Sequence, residues 1–219
     1  MTVLFVIATI TIFLTVDWLV RRYRGQPFIP AEKIRGTYPV RLPDGVFFAP
    51  SHTWLNLYPS GTLRLGVDDF IARLVESPEI LLLKCPGDHF QKGDPLIQLK
   101  EGNHALTIRS PLEGEIVAIN EELTADPSLL RERMFSSGWG YIIKPSRIDE
   151  IKTMLIGSET RSWIRNEFQR LRDLFAQLNN KGSLAPACLQ DGGPPIAGVL
   201  RTMDDVVWKR LDNEFLQVA

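Results

Sequence analysis

Three histidines (His52, His89 and His104) and two cysteines (Cys85 and Cys188) are the side chains with the widest chemical range in this sequence. No two histidines stand at the spacing of a metal-binding pair, so no metal site is expected. No Ser-His-Asp or Cys-His order stands out. Asp191-Gly192-Gly193 lacks the lysine of a Walker-type phosphate loop and reads as a turn. Glu101 and the Glu121-Glu122 pair are most simply solvated charges. Cys85 closes the apolar run that begins at Ile80, so a buried, reduced thiol is expected, and the cysteines show neither a CxxC motif nor a framework spacing. No catalytic set emerges, and the chain is not expected to be an enzyme. The short polar segment Gly102-Asn103-His104 remains, and His104 could donate a hydrogen bond to a partner there.

A hairpin must hold that segment. Leu96, Ile97 and Leu99 precede it, and Ala105-Leu106-Thr107-Ile108 follows. Gly102 and Asn103 suit the backbone of a tight turn. Pro111 and Gly114 then punctuate a further strand over 115–119. Upstream, Trp54-Leu55-Asn56-Leu57-Tyr58 alternates as a half-buried strand, Pro59-Ser60-Gly61 turns the chain, and 63–67 returns. Asp68 or Asp69 can cap a short helix whose apolar face is Phe70, Ile71, Leu74 and Val75.

The collinear order of these features resembles the lipoyl/biotinyl fold, most closely the H protein of the glycine cleavage system. The features are His52-Thr53-Trp54, Gly66-Val67-Asp68-Asp69-Phe70, Gly93-Asp94, Ser110-Pro111 with Gly114, Asn120, Gly138-Trp139 and Lys144-Pro145-Ser146. The resemblance spans roughly residues 43–146 and departs at Arg131–Phe135, where the family often carries Asn-x-x-Pro-Tyr. It implies a mainly β, barrel-sandwich hybrid domain and a non-enzymatic carrier whose hairpin lysine bears lipoate. That lysine stands ten positions after the Gly of Gly-Asp and seven before the Ser of Ser-Pro. Counted from Gly93 and from Ser110, both intervals end on Asn103. A carboxamide cannot supply the amine for a lipoyl amide bond, so no cofactor is expected. Lipoate would fit only if the register slipped to Lys100, and that shift would exchange the strand faces.

The remaining segments suggest a location. Residues 3–20 are apolar apart from three threonines and Asp17, and at about 1.5 Å per residue they nearly span a hydrocarbon core. Arg21, Arg22 and Arg24 follow, with Trp18 and Tyr23 as interfacial aromatics. The expectation is a single-pass anchor over 1–24 in the cell membrane, contacting the lipid bilayer through 3–20, with the rest of the chain cytoplasmic. A Pro-, Gly- and Arg-rich linker over 25–42 leads to the domain over 43–146.

Residues 147–180 form an amphipathic helical extension bearing the stripe Ile164, Phe168, Leu171, Phe175 and Leu178. Residues 181–219 read as a loop and a last helix capped by Asp204-Asp205. Trp208 and Phe215 in that helix must be buried against the domain or against a partner. With 25 basic and 26 acidic residues there is no basic excess, so nucleic acid is not an expected partner. The expected role is an interaction subunit of a membrane complex, docking to an unknown protein through Gly102, Asn103, His104, Trp208 or Phe215. The alternatives are an aminomethyl carrier modified at Lys100 and a membrane-fusion-type export adaptor, although in the latter the lipoyl halves flank a helical hairpin and here they are contiguous.

Overall fold

The computed structural model describes residues 40–179 and 197–218, with the side chains of 178 and 179 left aside. The expected anchor over 1–24, most of the linker, the loop over 181–196 and Cys188 lie outside the described residues. Among those described, no helix is long and apolar enough to cross a membrane.

Among the described residues, nine strands make two antiparallel sheets. The larger is ordered β1 (Phe47–Ala49), β2 (Thr53–Leu57), β3 (Leu63–Val67), β9 (Trp139–Pro145), β8 (Gly114–Ile119) and β5 (His89–Phe90). The smaller is ordered β4 (Glu79–Leu82), β6 (Pro95–Glu101) and β7 (His104–Arg109). Period-two alternation puts Leu63, Leu65 and Val67 of β3 on the inner face with Tyr141 and Ile143 of β9. Leu96, Ile97, Leu99, Leu106 and Ile108 of the smaller sheet join them in one buried cluster. Tyr141 also links the sheets by hydrogen bonds. Its hydroxyl donates to the Leu96 carbonyl at 2.8 Å and accepts from the Lys84 amide at 3.1 Å. Burial pushes this phenol up to about 12, because the apolar surroundings disfavour the phenolate. The result is the mainly β architecture that the resemblance implies, with helices after it.

Helix α1 (Asp69–Leu74) begins at Asp68, whose carboxylate accepts the Ile71 amide at 3.0 Å. Two short helices, α2 (Glu121–Ala125) and α3 (Leu129–Glu132), cross between β8 and β9. A 3-10 segment (Ile148–Thr153) leads through Gly157, at φ 61°, into the long helix α4 (Ser158–Asn179). The apolar stripe of α4 faces its own domain: Ile164, Leu171, Leu174 and Phe175 are buried, and the Phe168 ring lies 5.0 Å from that of Phe70. A second 3-10 segment (Val199–Thr202) precedes α5 (Asp205–Phe215), whose N-cap Asp204 accepts the Val207 amide.

Cys85 corrects the expected buried thiol. Strand β4 ends at Leu82, so Cys85 falls in the exposed turn toward β5, where its amide donates to Asp88 at 2.7 Å.

Candidate functional site

The hairpin closes on two residues. Glu101 pairs with His104, leaving Gly102 and Asn103 as the exposed turn. Only Gly102 takes a positive φ, 61°, as a turn with glycine in its first central position requires. Asn103 follows it at the apex, so the tip presents a carboxamide where the implied family anchor is an amine. Lys100 lies back on β6, paired with Ala105, and its Nζ sits 3.6 Å from the Glu79 carboxylate on β4.

Both shoulders of the tip are held. On one, the Glu101 carboxylate accepts the backbone amides of Glu76 and Ser77 at 3.3 and 3.5 Å. Those residues also wall a cavity of about 230 Å3 shared with Pro127, Leu130 and Arg131. Arg201, in the 3-10 segment before α5, pairs with Glu76, and the Gly198 amide donates to the Arg73 carbonyl at 2.8 Å. Gly198 is required there, because a Cβ would stand 2.7 Å from Cβ of Glu76 and the residue's φ is 75°.

On the other shoulder α5 runs along β7, one of the two edge strands of the smaller sheet. His104 Nε2 lies 2.8 Å from Asp205, and its ring stacks on Trp208 at 5.2 Å with 11° between planes. Three residues along the strand, the Thr107 amide donates to the Asp212 carboxylate at 2.7 Å. A strand edge normally offers unpaired amides to other chains, and α5 covers this one. Trp208 donates its indole N–H to the Leu200 carbonyl at 3.0 Å. Val207, Trp208, Leu211 and Phe215 are all buried, each stabilising by roughly 1.5–3 kcal/mol before entropic costs.

Of the residues predicted for docking, then, Gly102 and Asn103 are exposed and His104 is half-buried. Trp208 and Phe215 face inward, so they complete the domain's own core and offer no outer surface. The partner that His104 engages is α5 of its own chain, through the Trp208 ring and the Asp205 carboxylate.

A buried ionic chain fastens the helices to the domain. His52 precedes β2 with φ 59°, the only non-glycine positive value among the described residues. Its Nδ1–H donates to Asp68 at 2.7 Å, and its ring stacks on Phe70 at 4.6 Å. Nε2 lies 3.8 Å from Glu167 of α4, which makes an ion pair too long for a hydrogen bond. Glu167 binds Arg170 through both oxygens at 2.9 and 2.7 Å, and Arg170 reaches the Glu214 carbonyl at 2.6 Å and lies over the Phe215 ring. Burial alone would lower the His52 pKa, but the Asp68 and Glu167 carboxylates outweigh it and raise it to about 9. Burial would raise the Glu167 pKa, but contacts with His52 and Arg170 hold it below the usual carboxylate range. Among the described residues, no cluster of three or more His, Cys, Asp or Glu could hold a metal ion.

A two-residue hairpin tip on a two-sheet β domain, entered through His52-Thr53-Trp54, is the arrangement that the resemblance implies. The family model for the glycine cleavage H-protein matches residues 46–167, and the chain belongs to that family. It is 30% identical over 118 residues to the glycine cleavage system H protein of Psychrobacter sp. (strain PRwf-1), covering 54% of this chain and 94% of that protein. It is 26% identical over 157 residues to glycine cleavage system H protein 2 of Aquifex aeolicus, covering 69% and 98%. A crystal structure of the H protein from Mycobacterium marinum aligns at 19% identity and TM-score 0.45, over 54% of this chain and 94% of that one.

Of the partners of the hairpin, Asp205 is read from the sequence only as a helix cap, and Asp212, Glu76 and Ser77 carry no local signal. The Thr107–Asp212 contact joins residues 105 apart, and no local spacing signals it. The available sign was the pair Trp208 and Phe215, whose size demanded burial somewhere.

Proposed function

We propose that this chain is a non-lipoylated H-protein-like module, held at the cytoplasmic face of the cell membrane by residues 3–20, that serves as an interaction subunit of a membrane complex rather than as an enzyme. One observation carries the reading: the apex of the hairpin is Asn103. Lipoate attaches through an amide bond between its carboxylate and a lysine amine, and the nitrogen of a carboxamide is not a nucleophile. Lys100 is a poor substitute because it lies within a strand, beside Glu79. Lipoate therefore does not fit the residues present, and no aminomethyl transfer is assigned to the chain.

The partner is a protein that meets the hairpin end of the domain, where Gly102 and Asn103 are exposed. The lipid contact rests on the apolar run over 3–20 and the arginines that follow it.

Intact mass spectrometry of the full chain after incubation with lipoate ligase, lipoate and ATP tests the first part. An unchanged mass is expected, and a lipoyl adduct at Lys100 would replace this reading with that of a carrier. Fractionation of cells expressing the full chain tests the anchor. Recovery in membranes resistant to carbonate extraction is expected, with the domain protected from external protease. A carbonate-soluble protein would refute the anchor, and digestion from outside would refute the topology.

A further inference from the structure

The loss of the amine at position 103 does not account for everything that α5 does at the hairpin. Three independent contacts place it on the β7 side: His104 with Asp205, the His104–Trp208 stack, and the Thr107 amide with Asp212. The first two engage the residue next to the apex. The segment before α5 meanwhile pairs Arg201 with Glu76, whose amide holds Glu101 on the opposite shoulder. Residues 198–212 thus contact one flank of the two-residue turn directly, at His104, and reach the other through Glu76. Any macromolecule that must embrace the hairpin to reach residue 103 meets this segment first.

We propose that α5 is a built-in occupant of the β7 face, an intramolecular cover that excludes lipoate ligase and any carrier-type partner from the hairpin independently of the residue at its apex. The cover supplies what an incoming chain would supply. An acceptor carboxylate answers an edge amide, an aromatic ring stacks on His104, and an apolar stripe closes the core. Its occupant is therefore residues 205–215 of the same chain, and approach from outside is confined to the exposed apex, Gly102 and Asn103. This inference rests on the non-carrier reading above and adds a second barrier to it.

The test restores the amine and leaves the cover in place. The variant Asn103→Lys in the full chain is incubated with lipoate ligase, lipoate and ATP, which join the lipoate carboxylate to the lysine amine and release AMP and pyrophosphate. A bacterial H protein of the same family serves as the positive control. The expected rate is roughly 100-fold below the control, as when a competent, uncovered state is populated at about 1%. Adding Asp205→Ala and Asp212→Ala, substitutions at exposed and half-buried positions, loosens the cover and should raise the rate by roughly 10-fold. Exchange of the Thr107 amide, followed by NMR, reports the loosening directly, and circular dichroism reports that the domain remains folded. Lipoylation of Asn103→Lys at the control rate would overturn the proposal. So would a loosened, folded variant that stays as slow as Asn103→Lys alone. Modification of the unsubstituted chain at Lys100 would instead overturn the non-carrier reading, so the two failures are distinguishable.

Discussion

His52 Nδ1 lies 2.7 Å from Asp68 Oδ2 with both side chains fully enclosed, and the same carboxylate caps α1 through its other oxygen. One aspartate therefore fixes a helix start and a buried histidine whose backbone stands in the left-handed region at φ 59°. His, Asn and Asp tolerate that region better than other non-glycine residues. The Asp68 amide, donating to the His52 carbonyl at 3.0 Å, closes the arrangement.

The pair makes stability depend on pH. His52 titrates near 6.5 when free and near 9 in the fold, so its stabilising contribution is fully present below pH 6.5 and is lost as pH rises through 9. His52→Gln should cost about 3 kcal/mol near pH 6 and progressively less toward pH 10. Urea denaturation of both proteins at pH 6, 8 and 10 measures this, and a pH-independent difference would show that folding leaves the His52 pKa unshifted.

Asp212→Ala removes the acceptor of a buried-side strand amide. The expected cost is about 1–3 kcal/mol, with markedly faster hydrogen exchange at Thr107. The Leu55 amide, on an interior strand of the other sheet, should keep its protection. Equal acceleration at both sites would mean that the substitution loosened the whole fold.

Gly66→Ala tests close packing. A Cβ there would sit 2.6 Å from two carbons of the Trp54 indole, itself enclosed and 5.3 Å from the Phe135 ring. A loss of about 1–3 kcal/mol is expected, together with a shift in tryptophan fluorescence. An unchanged midpoint would show that the indole moves aside freely.

Lys100→Ala should be nearly silent. Its partner Glu79 is largely exposed, and such surface pairs contribute about 0–1 kcal/mol. A thermal melt that falls by many degrees would reveal a role for Lys100 that the Glu79 contact does not explain.

The strands and the hairpin were legible because their signals are local. The turn at Pro59-Ser60-Gly61, glycine at 102 and aspartate caps at 68 and 204 each act within a few residues, whereas the half-buried alternation expected over Trp54–Tyr58 is not seen, since Trp54 and Leu55 are both enclosed and Leu57 is exposed. The apex was legible too, since intervals from Gly93 and Ser110 converge on Asn103. What the sequence could not disclose is which surface answers an apolar stripe. The stripes of α4 and α5 fit a partner chain as well as their own domain. The choice is made by distant polar contacts such as His52 with Glu167 and Thr107 with Asp212. Cys85 was misplaced for a related reason. Its apolar run looked continuous, but β4 stops at Leu82 and the chain turns outward.

The contact between Thr107 and Asp212 also has a bearing on how the molecule is made. Synthesis runs from the N-terminus, so the hairpin leaves the ribosome well before residue 212 exists to meet it. During that interval β7 is an open edge beside an unfilled apolar groove, the condition in which nascent chains stick to one another. The protein's most exposed moment thus comes before its translation ends, and slowing elongation between the hairpin and the last helix should raise its demand for chaperones.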